Sequence, residues 1–522
     1  MTANYDLAIV GSGFSGSLLA MIARRLGLSV VMVEKGKHPR IVIGESSTPL
    51  TNLLLEELSD RYDLPSVRPL SKWGTWQRTH PEIACGLKRG FTFYHHDLAR
   101  AAFDVSDRCR QLLVAASPHD DISDTHWYRA DFDHFLVREA QKLGVDYLDE
   151  TDLTRVTESH SEIVLEGTRH DKPFSISTKF VVDASGPRGF LHRALGLGEL
   201  DLPGFPQTQA LYSHFEGVRR IDEFQIAGGE PYPVDDAAVH HLFDGGWIWV
   251  LRFNNGITSA GVAATDAIAG KYSFVDGADS WRRILGDIPS LELQFASAQA
   301  IRPFARIPRL AFRSRQITGR RWALLPSAAG FVDPLLSTGF PLTLLGVARL
   351  ASIFERDWES PRLEARLAEY AAQTDADLLA TSRLVGALYA NMNNFPVFVS
   401  LSLLYFAAVS FSETARRLGK PELASSFLLR EHPDFGPVGS RLLERARLPL
   451  TKEESETLSN EILKAIAPIN VAGLGDSARR NWYPVDPDDL LRSARKLNAT
   501  EDEVMALLQR CGFYGIASAN AS

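Results

Sequence analysis

Two groups of residues have the types and spacing to do chemistry. Gly11, Gly13 and Gly16 follow the apolar run Tyr5 to Val10 at the G-x-G-x-x-G spacing. In that motif the first glycine permits a tight strand-to-helix turn, the second lets the backbone approach a pyrophosphate, and the third lets the helix pack on the sheet. Ser17 to Leu28 reads as the helix and Ser29 to Glu34 as the next strand, and Glu34 is placed to accept from ribose hydroxyls. The second group centres on Lys88. If Leu87 to Tyr94 is one strand, alternation puts Lys88, Gly90, Thr92 and Tyr94 on one face and Leu87, Arg89, Phe91 and Phe93 on the other. A lysine in an apolar pocket loses hydration of its charge, so a neutral amine and a directed hydrogen bond both become accessible. That suits it to hold an electrophile; a surface or salt-bridged lysine is the alternative.

Two later segments must return to the same region. Phe180 to Gly186 is an apolar strand ending in Asp183-Ala184-Ser185-Gly186, and Trp322 to Gly339 reads strand, glycine-containing turn, helix start. Pro334 and the small Ser337-Thr338-Gly339 turn precede an apolar helix, which places free backbone N–H groups where a small anion is stabilised. An ordinary cofactor-contacting helix start would look the same.

The whole chain sets the outer limits. Its 522 residues allow two to four structural units, and 45% apolar with 23% charged residues is an ordinary globular balance. A net charge of −8 without a basic block argues against nucleic acid as a partner. Three scattered cysteines give neither a disulfide framework nor a CxxC pair, and with no readable secretion signal the expected location is cytoplasmic. His95-His96 and His240-His241 lack a third ligand at metal spacing, so no metal is expected. Phe395 to Phe411 is apolar over 17 residues but interrupted by Pro396 and three serines, short of the ~20 that cross a bilayer, and it reads as a buried helix without stable membrane insertion. Gly473 to Ala478 mimics a second nucleotide fingerprint without a βαβ unit around it, so no NAD(P)H domain is expected.

Four motifs in order carry a resemblance. They are Gly44-Glu45-Ser46-Ser47-Thr48-Pro49, Cys85 to His96, His240 to Asn255, and Phe331 to Gly339. With the dinucleotide fingerprint they resemble the flavin-dependent halogenases of the tryptophan-halogenase superfamily, most closely the phenol and phloroglucinol branch. The resemblance implies an α/β fold: a Rossmann-like, hydroxylase-type FAD domain with an inserted β-rich substrate domain, and a helical C-terminal region. The expected division is 1–360 for the FAD domain, with the substrate part at roughly 70–130 and 200–310, and 361–522 for helices covering the substrate chamber.

The same resemblance implies FAD held by Gly11, Gly13, Phe14, Ser15, Gly16, Glu34, Lys35, Arg40, Glu45, Ser46, Arg129, Asp183, Ser185, Gly186, Asp333 and Gly339. Halide would sit at Ser337, Thr338 and Gly339, Lys88 would be the catalytic lysine, and Tyr94, Trp247, Trp249 and Phe340 would line the pocket. The reaction implied consumes FADH2, oxygen and halide and delivers hypohalous acid to Lys88 beside an electron-rich aromatic. The FADH2 would come from a separate flavin reductase, and a homodimer would use the apolar faces of the C-terminal helices. Leu336 stands where tryptophan halogenases carry a glutamate, which favours a phenol. Leu251-Arg252 replaces the Ile-Pro of the family's W-x-W-x-I-P motif. Arg252 thereby suggests an acidic or peptide-linked substrate, and a flavin monooxygenase is the alternative; a non-catalytic FAD-binding partner is a third reading.

Overall fold

The computed structural model describes residues 4–98, 108–224 and 228–514. Two large sheets organise the chain. In the first, strand Asn4–Val10 lies between Val30–Val33 and Lys172–Asp183, parallel to both, and Asp146–Leu148 extends the Val30–Val33 edge. Every residue of Val30–Val33 is buried, as in a parallel strand covered on both faces. The long strand Lys172–Asp183 changes partners along its free edge: residues 172–178 pair antiparallel with Ile163–Arg169, and 181–183 pair parallel with Trp322–Leu324. The third segment of the sequence therefore returns to the dinucleotide sheet, giving the expected α/β arrangement.

The second sheet has nine strands. Its central order is Thr208–Glu216, Thr258–Thr265, Gly246–Arg252, Ala238–Phe243, Gly90–His95, Gln111–Ala115. Trp482–Tyr483, from the otherwise helical C-terminal region, closes one edge beside Gln111–Ala115. Side chains alternate between two cores: Phe91, Phe93, Trp247, Trp249 and Leu251 join the main core, while Tyr94, Ile248, Val250 and Val262 join a second one with Phe215 and Trp281.

The single strand expected over Leu87 to Tyr94 is two strands in different sheets. Cys85–Lys88 pairs with Asp124–Trp127, and Gly90–His95 joins the nine-stranded sheet. At the crossing Arg89 donates its N–H to Asp236 O at 2.6 Å and its guanidinium to Asp120 and Pro118 O, each at 2.8 Å. The break resets the alternation, so Lys88 lies over the ring of Phe91 (3.8 Å to the centroid) while Tyr94 faces the second core.

Helices Phe14–Arg25, Arg129–Lys142 and Gly339–Asp357 pack together over the first sheet, and Gly339–Asp357 also contacts Pro49–Arg61 and Leu363–Ala390. Leu335–Asp357 and Phe395–Arg417 are long and apolar enough to cross a membrane, but their most apolar windows are 67% and 83% buried inside the protein. Phe395–Arg417 is a core helix whose Phe398 and Phe406 pack on Phe93 and Phe91.

Candidate active site

A cavity of about 890 Å³ runs from the dinucleotide fingerprint to the face of the second sheet. At its first end the backbone makes the cradle. Gly11 adopts φ +100°, and a Cβ there would stand 2.6 Å from Ala184 O; a Cβ at Gly16 would stand 2.1 Å from Gly11 O. Gly11, Gly13, Phe14 and Ser15 line the cavity, whereas Gly16 serves the packing of the helix on its own turn. Phe14–Arg25 has no side-chain cap, so its first N–H groups face the cavity without intrahelical partners.

Glu34 ends the second strand and lines the cavity. It accepts from Ser12 N (3.1 Å), Ser12 Oγ (2.9 Å), Gly36 N (2.9 Å) and Arg40 (3.0 Å). Burial opposes its charge, yet Arg40 and these donors hold its carboxyl below the usual range. Lys35 lines the cavity and pairs there with Asp152 at 3.0 Å. Arg129, buried at the start of its helix, makes two 2.8 Å bonds to Asp133 and a third to Gly44 O. Its second terminal nitrogen lies 3.4 Å from where a Cβ would stand on Gly13.

These residues fit the flavin dinucleotide. An anion-receptive helix start faces a glycine turn that admits a close backbone, and Glu34 retains acceptor capacity on Oε1. Arg40 Nε is buried, lines the cavity with its side chain, and has no hydrogen-bond partner in the protein. Ser185 and Gly186 line the cavity as well. Asp183 does not: its Oδ1 accepts from Ser185 N and Oγ and its Oδ2 from Leu191 N at 2.6 Å. The expected cofactor contact is thus corrected to a loop-shaping one, because the fully buried acid is consumed by its own turn.

At the other end, Trp247, Trp249 and Leu251 project from Gly246–Arg252 into the cavity, with Ser337, Thr338, Gly339 and Phe340 opposite. Leu336 and Ser337 adopt φ +64° and +54°, a left-handed pair that turns the chain into helix Gly339–Asp357. Tyr405 donates its hydroxyl to Leu336 O at 2.9 Å. Asp333 accepts from Trp247 Nε1 (3.2 Å), Leu335 N (3.0 Å) and Tyr389 Oη (2.9 Å), and burial pushes its carboxyl up to about 7. It joins the tryptophan strand, the turn and helix Leu363–Ala390 at one point. Phe340 stacks on Trp127 at 4.4 Å and meets Phe14 at 5.0 Å.

Arg252 faces away from the cavity. It donates to the buried Asp235 at 2.8 Å, to Val218 O at 2.9 Å and to Arg219 O. Strand alternation puts it on the face opposite Trp247, Trp249 and Leu251, so it is no substrate ligand. Tyr94 is likewise absent from the lining; it stacks on His241 at 5.5 Å in the second core. His95 bonds Met392 O, and His96 bonds His241 at 2.9 Å.

Lys88 is fully buried one layer behind the cavity wall. Its Nζ donates to Ser46 Oγ at 2.9 Å and to Ser47 O. Ser46 lines the cavity, so the loop Gly44–Pro49 separates Lys88 from the cradle and touches both. Glu45 of that loop lines the cavity and is held by His214 Nε2 at 2.8 Å. Burial lowers the Lys88 ammonium to about 7 against the opposing pull of Asp124. Sequence reasoning missed Ser12, Asn52, Asp124, His126, His214, Tyr389 and Tyr405. A strand reading Asp-Thr-His-Trp carries two ionisable side chains on one face, the one signal available for Asp124 and His126.

The tryptophan halogenase family model matches residues 118–394. Monodechloroaminopyrrolnitrin halogenase PrnC of Pseudomonas fluorescens is 28% identical over 355 residues, covering 67% of this chain and 61% of the relative. The chain thus spans less than two thirds of PrnC. Tetracycline 7-halogenase of Kitasatospora aureofaciens is 26% identical over 423 residues, covering 77% of this chain and 73% of the relative. The crystal structure of halogenase PltM in complex with phloroglucinol and FAD superposes with a TM-score of 0.80 at 23% identity, covering 91% of this chain and 99% of that one. The fold is therefore that of an FAD-binding halogenase, and the chain belongs to the tryptophan halogenase family of flavin-dependent enzymes.

Proposed function

We propose that this protein is an FAD-dependent halogenase that consumes FADH2, oxygen and halide to halogenate an electron-rich, phenol-like aromatic. The observation that carries the reading is Lys88: a fully buried ammonium, held by Ser46 and Ser47, on the far side of the loop that walls the dinucleotide cavity. Gly11, Gly13, Ser15, Glu34, Arg40, Arg129 and Ser185 would hold FAD, which when bound in its reduced form would give two electrons to oxygen, so that oxygen becomes the oxidant that takes halide to hypohalous acid and is released otherwise as water. The N–H groups of Thr338 and Gly339, at the start of a 19-residue helix, are the halide ligands in this reading. Lys88 takes the oxidised halogen through Nζ and sets its position, and the surrounding Phe91, Phe93 and Phe406 exclude water. Relatives that are halogenases support the reaction class, and Leu336 in place of an acid supports a ring activated by its own oxygen.

The reductant would arrive as free FADH2 from a separate flavin reductase in the cytoplasm. Arg252, the residue that would favour a monooxygenase on an acidic substrate, is turned into the protein, which removes the specific support for that alternative. The test is mass spectrometry of a phenol and indole panel incubated with the protein, FAD, a reductase, NADH, air and bromide. The expected product is a single monobrominated phenol regioisomer, insensitive to a hypohalous-acid scavenger and absent with Lys88→Ala. Products carrying only oxygen, with and without bromide, would overturn the reading.

A further inference from the structure

In the antiparallel register Lys88 stands directly opposite Asp124. Opposed residues of such a pair put their side chains on one face, with Cβ atoms about 5 Å apart. Both are buried, Lys88 at 0% and Asp124 at 5% exposure. Asp124 Oδ1 accepts from Asn52 Nδ2 at 2.6 Å, and Oδ2 has no hydrogen-bond partner. An isolated buried carboxylate costs several kcal/mol, and an opposite charge on the same face favours the ionised form against that cost.

We infer that Asp124 is a positioning residue: oriented by Asn52, its carboxylate holds the charge on Lys88 and keeps Nζ directed at Ser46 and Ser47. It acts through Lys88, and the inference rests on the proposed role of that lysine. Burial draws the two groups toward neutrality from opposite sides, the ammonium down and the carboxyl up.

The neighbours on each packed element leave this pairing dominant. His126, two residues after Asp124 on the same strand face, and His240 of Ala238–Phe243 both face Lys88, and burial keeps both imidazoles neutral by lowering them to about 3. From helix Phe395–Arg417, Tyr405, Glu413 and Arg417 act on Asp124. Burial raises the Tyr405 phenol, so it stays uncharged, and Glu413 and Arg417 are bonded to each other at 2.7 Å.

The experiment titrates the lysine Cε resonances of the FAD-bound protein labelled with ¹³C-lysine, with Lys88 assigned by its absence in Lys88→Gln. Asp124→Asn is expected to move the Lys88 titration down by about 1–3 pH units, the shift that a neighbouring opposite charge produces. The limb of the pH–rate profile for bromination that belongs to Lys88 should move with it. Asn52→Ala removes the donor that favours the carboxylate and should shift Lys88 in the same direction by less. An unmoved Lys88 resonance in Asp124→Asn with FAD bound overturns the inference and leaves the halogenase reading intact. If Asp124→Asn does not fold, an unmoved resonance in Asn52→Ala overturns it. A shifted resonance in a protein that forms no halogenated product sustains the pairing while the halogenase reading fails.

Discussion

The dinucleotide cradle and the Lys88 compartment lie on two sides of one loop and are built on opposite principles. The cradle is made of backbone: a glycine turn, a helix start and an acid whose own oxygens are tied by neighbouring N–H groups. It opens into a cavity, and its turn, helix start and acid come from one contiguous stretch, to which Arg129 and Ser185 are added from elsewhere. The Lys88 compartment is made of side chains, Lys88, Asp124, Asn52 and His126, brought from three separate segments and buried behind the loop. A phosphate-bearing cofactor is recognised by fixed dipoles that need no titratable group, whereas control of an electrophile needs an ionisable group whose charge the surroundings can set. In the proposed reading the two tasks are separated by the width of Gly44–Pro49.

Lys88→Ala should break the comparison most sharply. We expect halogenation to fall roughly a thousandfold, the scale on which a group acting directly at the reacting atoms contributes. FAD affinity and the flavin spectrum should not change, because Lys88 does not reach the cavity. Titration of FAD into the variant, beside product analysis, checks both halves. Loss of FAD together with activity would mean that the two compartments are one.

Gly11→Ala attacks the other side. The residue has φ +100° and its Cβ would meet Ala184 O at 2.6 Å, so the turn must shift. Strain of this kind costs about 1–3 kcal/mol, and FAD binding should weaken by roughly a hundredfold. The Lys88 titration, which depends on side chains from other segments, should stay in place. Equilibrium dialysis of FAD and the lysine resonance provide the two readouts.

Arg252→Met tests whether a departure from the family motif bears on the site. Its guanidinium bonds are internal, and a hydrogen bond to a charged group is worth about 1.5–3 kcal/mol. Stability should drop by about 2 kcal/mol in urea unfolding, with FAD affinity and product identity unchanged. A changed regioisomer would return Arg252 to the substrate.

What the sequence revealed follows the same division. The glycine fingerprint and Glu34 were legible because one continuous segment dictates that backbone, and the turn at Ser337 to Gly339 because small residues before an apolar helix leave few alternatives. Asp183 was misread because an acid at a strand end serves its own loop as readily as a ligand. Tyr94 was misplaced because a sheet crossing at Arg89 resets the alternation, and nothing local announces a crossing. Arg252 needed no structure: counting by twos from Trp247 puts Leu251 in the chamber and Arg252 behind it. The pairing of Asp124 with Lys88 was invisible because register between strands 36 residues apart is a property of the folded chain.

Ser46→Ala has the smallest expected effect and addresses the boundary itself. Its hydroxyl accepts from Lys88 on one side, and the residue lines the cavity on the other. Removing one such hydrogen bond costs about 1 kcal/mol, which corresponds to a fivefold change. Because Lys88 keeps Ser47 O, its position should loosen rather than fail. We therefore expect kcat at saturating FAD to fall about fivefold, with FAD affinity changed by less. Steady-state rates across an FAD titration separate the two quantities. A larger loss in affinity than in kcat would assign Ser46 to the cradle and move the boundary to Ser47, whose hydroxyl and amide are tied to Thr125 O and whose carbonyl alone meets Lys88.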